Sequence, residues 1–307
     1  MKRSCPRLSC LNHHGSLTQA PTSGSIVRKG SYYRACDRRL IRRYLCKLCH
    51  LQFSSATSDP NYRQKRRDLN PKISALLCSG ISQRRLARFF EVNPKTIVRK
   101  FRALASQGRL EQAQWRSQLP EKALKNIQFD ELETSEHTKC KPLSVALAVN
   151  SDTREILGFQ VSRMPAKGLL AKISRKKYGR RLDERAQGLN SLFQSLIPLV
   201  SPTAEFSSDE NPHYPRHLKR HFPGATHVRY PGARGAITGQ GELKKLKFDP
   251  LFSLNHTCAM LRANLNRLFR RTWCTTKTIQ GLIDHLSLYV RYHNQILLQS
   301  YPPKGGS

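Results

Sequence analysis

The segments NIQFDELE (126–133) and TAEFSSD (203–209) decide how this chain is read. In the first, Ile127 and Phe129 alternate with polar neighbours at the two-residue period of a strand, which leaves Asp130 on the opposite face. The second is a shorter strand that ends on Asp209. Between them, PLSVALAVN (142–150) is a near-continuous apolar strand, Ser151 and Asp152 make a turn, and REILGFQVSRM (154–164) supplies a third strand. These three predict an antiparallel meander. AKGLLAKISRKKYGRR (166–181) reads as a basic loop, and DERAQGLNSLFQSLIPLV (183–200) as a helix burying Leu189, Leu192, Phe193, Leu196 and Ile197. After Asp209 come a helix around HLKRHF (217–222), a strand ATHVRY (225–230) and a glycine-rich basic loop (232–247). A helix from Phe252 to Arg271 and another from Thr278 to His293 close the pattern. The fold class predicted for 126–295 is α/β with a mixed sheet, followed by a tail over 296–307.

The chain has 307 residues, 38% of them hydrophobic, so one substantial core must coexist with small pieces held by other means. Its formal net charge is +34, and the charge is unevenly spread. Residues 1–129 carry 27 Lys and Arg against 6 acids, whereas 130–307 carry 27 against 14. Such a field attracts polyanions and releases their counterions on binding, which points to nucleic acid as partner. A membrane surface would call for a basic amphipathic helix with large apolar residues opposite the charge, and none stands out. No run of 18 apolar residues exists, which predicts no membrane span. The start, MKRSCPRLSC, lacks the apolar stretch of a secretory leader. Nine cysteines in such a chain argue for metal ligands or reduced thiols rather than disulfides.

Cys5 and Cys10 form a C-x4-C pair, Cys46 and Cys49 a C-x2-C pair, and a polar hairpin-like insert separates them. Two such knuckles supply four sulfurs to a tetrahedral Zn²⁺, so 1–53 reads as a zinc ribbon whose metal replaces a core. Cys36 is left over, and His13, His14 and His50 are alternative ligands. A basic linker follows over 54–70.

Residues 71–107 carry the rhythm of an all-α helix-turn-helix. A helix from Lys72 to Cys78 stops at Gly80, Ser82 caps QRRLARFF, and Asn93-Pro94 starts KTIVRKFRALA. Ile97, Phe101 and Leu104 form the inner stripe of that last helix, which leaves Lys95, Thr96, Arg99, Lys100 and Arg102 for double-stranded DNA. Residues 108–125 read as a connector. The glycine-rich loop lacks the GK[ST] ending of a phosphate-cradling loop, which argues against nucleotide binding. Trp273, Tyr289 and Tyr292 are expected in the core.

The element order from 126 onward matches a ribonuclease H–like layout, which puts Asp130 and Asp209 at the ends of adjacent strands. Paired carboxylates are the hard oxygen ligands that Mg²⁺ or Mn²⁺ takes in phosphoryl transfer. With CKLCHLQFS (46–54), IQFDELET (127–134), SSDENPHY (207–214) and LNHTCAMLRANLNRLFRRTWCTTK (254–277), the chain resembles the DDE-type transposases of bacterial insertion sequences. The resemblance covers nearly the whole length. It implies an enzyme that binds the terminal inverted repeats of its element and then cleaves and joins strands with Mg²⁺. The metal-binding aspartates carry over to Asp130 and Asp209. The family's third acid falls on Asn255, with a basic residue two turns on at Arg262, while Glu242 is the rival third ligand. Asparagine brings no negative charge, so a catalytically impaired DNA-binding derivative is the alternative function. The resemblance also implies a homo-oligomer acting on element ends and target DNA, in the bacterial cytoplasm and on the nucleoid.

Overall fold

The computed structural model describes residues 4–13, 25–35, 37–57, 59, 61–231, 249–269 and 273–300. His14, Cys36, Glu242 and most of the glycine-rich loop lie outside them, as does the tail from 301. The chain divides into two compact units, 1–72 and 73–307.

The first unit is built on three antiparallel strands, β1 (Ile26–Arg34), β2 (Arg39–Cys46) and β3 (Gln52–Ser54), in that order. The β1–β2 pair is the insert between the cysteine pairs, held in register from Ile26 opposite Cys46 to Arg34 opposite Arg39. The apolar material around the knuckles is scant: Cys5, Cys10 and Cys46 are buried, with Cys49, Leu51 and Phe53 against them. At the knuckles the cysteines are themselves the core, while Ile41, Tyr44 and Ala56 are buried elsewhere in the unit.

Three helices follow, α1 (Leu69–Leu77), α2 (Gln83–Phe89) and α3 (Pro94–Gln118), the first of which crosses the boundary after Lys72 and the others of which lie in the second unit. The caps are those the sequence carries. Ser82 Oγ accepts from the Arg85 amide at 3.3 Å and Asn93 Oδ1 from the Lys95 amide at 2.9 Å, with Pro94 first in α3. Gly80 ends α1 at φ +79°.

Two boundaries differ from expectation. The connector over 108–125 is mostly helix, because α3 runs on to Gln118. That extension packs along α8 (Ile279–Tyr292), where Arg109 pairs with Asp284 at 2.7 Å and Arg291 with Glu111. At Gly108 an added Cβ would meet the carbonyl oxygen of Ser287 at 3.1 Å, so the bare backbone is what lets the two helices approach. The helices of 73–118 and the sheet therefore form one compact unit rather than two domains.

The sheet has five strands: β4 (Leu124–Ser135), β5 (Pro142–Asn150), β6 (Ile156–Arg163), β7 (Val200–Asp209) and β8 (Thr226–Tyr230), ordered β6-β5-β4-β7-β8. The first three form the expected antiparallel meander, whereas β7 and β8 run parallel to β4, which makes the sheet mixed. Ile127 and Phe129 of β4 and Phe206 of β7 meet α5 (Arg185–Leu196) and α6 (Tyr214–His221) in one apolar cluster. Phe129 is its hub, edge-on to Phe193 at 5.1 Å. The segment expected as a basic loop contains α4 (Leu170–Tyr178).

Helix α7 (Phe252–Asn264) is shorter than the sequence suggests. The Asn264 carbonyl accepts the Gly80 amide at 2.6 Å, and Leu265 turns extended before a 3₁₀ turn over 266–268. An acceptor taken from outside and an extended residue end the helix.

Candidate functional site

Two sites emerge. In the first unit, the ligand atoms of Cys5, Cys10, Cys46 and Cys49 all lie within 4.8 Å of one another, with Cys5 Sγ to Cys49 Sγ at 3.5 Å and Cys10 Sγ to Cys46 Sγ at 3.7 Å. A tetrahedron with metal–sulfur bonds of about 2.3 Å has edges of about 3.8 Å, so the four sulfurs fit one metal ion. The thiols are unlike one another. Burial pushes Cys5 up to about 12, helped by the neighbouring sulfurs. At Cys10 the Asn12 amide works downward, but burial and the sulfurs of Cys49 and Cys46 leave it raised. Cys46 is also buried, yet the amides of Cys49 and Leu48 and the Asn12 side chain bring it down to about 6. Several thiolates crowded here are unfavourable until a cation neutralises them. His13 is not among the ligands: its ring nitrogen Nδ1 sits 2.7 Å from the Cys5 carbonyl oxygen.

The second site lies on β4 and β7: Asp209 is the last residue of β7, as expected, whereas Asp130 lies inside β4, which runs on to Ser135 because β5 pairs with it that far. The parallel register pairs Gln128 with Ser207, and Asp130 and Asp209 each stand two residues beyond that pair. Strand alternation puts both on the face opposite Phe129 and Phe206, near enough for their charges to be felt. Their charges interact. Burial is the main reason Asp130 rises from 3.8 to about 6, and the negative charges of Asp209 and Glu131 add to it. The Glu131 amide and the Tyr214 hydroxyl, at 2.6 and 3.0 Å from Asp130 Oδ1, oppose the rise. Asp209 Oδ1 accepts the Asn211 amide at 3.1 Å. Among the described residues neither Oδ2 has a hydrogen bond, so each acid keeps an oxygen for an outside cation.

Helix α7 covers the same face. Gln128 fixes it there: its Nε2 donates to the Pro250 carbonyl at 2.9 Å and its Oε1 accepts the Leu254 amide at 2.9 Å. Asn255, Cys258 and Arg262 recur at helical spacing on one side of α7. Burial holds the Cys258 thiol up at about 12, with the Asp130 charge adding and the Arg262 charge opposing. Cys258 therefore stands within electrostatic reach of both. Asn255 is exposed and commits its amide to Asp249 Oδ2 at 2.9 Å. No contact joins it to either aspartate among the described residues. Helix α7 begins three residues earlier, where Asp249 Oδ1 takes the Leu251 amide. His256 looks elsewhere, toward Arg154 and His293.

On α3, Lys95, Arg99 and Arg102 are exposed and Thr96 is half-buried. Lys100 is not on that surface: it is 4% exposed, sharing the inner stripe with Ile97, Phe101 and Leu104. Reading the helix by charge put it outside, whereas the i, i+3, i+4, i+7 repeat from Ile97 puts it inside. Arg84, Arg85 and Arg88 of α2 add exposed cations. Tyr289 is buried as expected, but Trp273 is 98% exposed. Gln128, Tyr214 and Cys258 are site residues the sequence reading missed. An alternating polar residue in a strand signals Gln128 weakly, and nothing local signals the other two.

Among the described residues no helix is long and apolar enough to cross a membrane. Compared with protein-family models and with curated proteins, the sequence matches none.

Proposed function

We propose that this chain is a DNA transposase of the DDE class, with a ribonuclease H–like core, a zinc-binding N-terminal module and a helix-turn-helix over α2 and α3. The observation that carries the reading is that Asp130 and Asp209 stand on neighbouring parallel strands, each with an oxygen that has no hydrogen bond among the described residues. Counted from β4, the strand order is 3-2-1-4-5 with the first strand central, as a ribonuclease H–like core requires.

The two carboxylates would hold a divalent ion such as Mg²⁺ or Mn²⁺. Bound there, the ion would supply Lewis-acid activation of an attacking oxygen and charge neutralisation at the scissile phosphate. The chain's own groups do the rest. Tyr214 orients Asp130 by donating to Oδ1, and Oδ2, without a hydrogen bond among the described residues, would be the oxygen offered to the ion. Gln128 pins the start of α7, the helix that carries Cys258 and Arg262, and the Arg262 guanidinium would attract a phosphate. Lys95, Arg99 and Arg102 would contact the duplex, phosphate contacts giving affinity and the start of α3 reading bases. The partners are then element ends and target DNA, handled by a homo-oligomer in a bacterial cytoplasm.

The test is cleavage and joining of duplex DNA carrying the sequences that flank this chain's own coding region, with Mg²⁺. Wild type should nick and join it, and Asp130→Ala and Asp209→Ala should each abolish both while still binding the duplex. Cleavage that survives either substitution would remove the mechanism. The commitment of Asn255 to Asp249 favours a second reading, a DNA-binding derivative with an impaired core. Duplex binding without cleavage at any Mg²⁺ or Mn²⁺ concentration would select it.

A further inference from the structure

Trp273 presents an indole to water that folding has not buried, at 98% exposure, and Phe269 nearby is 37% exposed. Both line an open groove of about 1020 Å³ between the end of β4 and the segment after α7. The far wall is fixed. Thr276 bridges to Glu136 and its carbonyl accepts the His137 amide at 2.7 Å, while Arg267 reaches Thr276 Oγ1 at 3.3 Å. The indole therefore projects from a chain segment anchored three residues later.

The groove's other walls are cationic. Lys139 and Lys277 are exposed along it, and Arg262 comes into it from α7. Glu133 also lines it, but Lys167 neutralises that carboxylate at 2.6 Å. An aromatic face with surrounding cations binds unpaired nucleotides: bases stack on the ring and phosphates meet the charges. A duplex offers no free base face for such a ring. Thr134 lines the groove and shares one face of β4 with Asp130, so the groove lies along the strand from that acid.

We propose that this groove holds a single-stranded stretch of DNA beside Asp130 and Asp209, with one base stacked on Trp273 and its phosphates held by Lys139, Lys277 and Arg262. The assignment of the strand as DNA rests on the transposase reading, but its binding needs no metal and no chemistry.

The experiment compares the full chain and its Trp273→Ala and Trp273→Phe variants in EDTA. The probes are a blunt duplex and the same duplex with a single-stranded 3′ overhang carrying 2-aminopurine. Wild type should prefer the overhang and quench the 2-aminopurine. Trp273→Ala should lose about ten-fold in affinity for the overhang alone, together with the quench, and Trp273→Phe should keep most of both. Equal affinities of wild type and Trp273→Ala for the overhang would overturn the proposal. So would a Trp273→Ala variant that turns from dimer to monomer with its DNA preferences intact, since the indole would then be a contact between copies. Overhang preference without metal-dependent cleavage would remove the transposase reading and leave this site standing. Cleavage without the preference would do the reverse.

Discussion

At Asp130, burial and the Asp209 charge make the ionised form costly, which has a measurable consequence for stability. Between pH 3.8 and about 6 the folded chain holds a proton that the unfolded chain has released, so stability falls as pH rises through that window. Above it the cost stays constant. Asp130→Asn should therefore stabilise the metal-free protein at pH 7.5 by about 1–2 kcal/mol, and change little at pH 3.5. Mg²⁺ should raise the melting temperature of wild type at pH 7.5 but not that of Asp130→Asn; thermal melts at the two pH values check both. On α3, Lys100→Ala should lower the melting temperature, whereas Arg99→Ala and Arg102→Ala should leave it unchanged and instead weaken duplex binding and flatten its salt dependence. Residues of this kind divide by how they announce themselves. Asp130 and Asp209 were legible because strand periodicity fixes their place, and the four cysteines because their spacing does. Lys100 and Trp273 were misread because residue type was allowed to outweigh helical phase and local anchoring.

Elements were easier to find than their ends. All five strands of the mixed sheet were legible, and β5 begins and ends where its apolar run does. The errors came from tertiary partners: α7 stops where the Gly80 amide takes its carbonyl, and α3 continues because α8 gives its second half a surface to cover. Short, basic α4 lacked an apolar stripe long enough to be seen. The seating of α7 depends on Gln128, whose amide satisfies one donor and one acceptor. Gln128→Leu would leave both unpaired beneath the helix and should cost about 1–3 kcal/mol in denaturant unfolding. It should also reduce cleavage more than duplex binding, because Arg262 travels with α7 while α3 does not. A variant as stable and as active as wild type would show that the helix is held by other contacts.

For the whole molecule, the division into two units makes the metal requirement separable. A module whose knuckles are packed on their own cysteines would depend on an ion there, whereas the sheet has a large apolar core. Chelation of the bound ion, or Cys46→Ala, should abolish hydrogen-exchange protection in β1–β3 and leave β4–β8 protected; loss of protection in both would contradict the separation. The central claim concerns the other site, where two carboxylates from distant parts of the chain share one cation. Mn²⁺ binding followed by electron paramagnetic resonance, on zinc-loaded wild type and on Asp130→Asn and Asp209→Asn, tests it most directly. The account predicts a bound-Mn²⁺ signal in wild type that each single substitution removes. A signal that survives either substitution would contradict it.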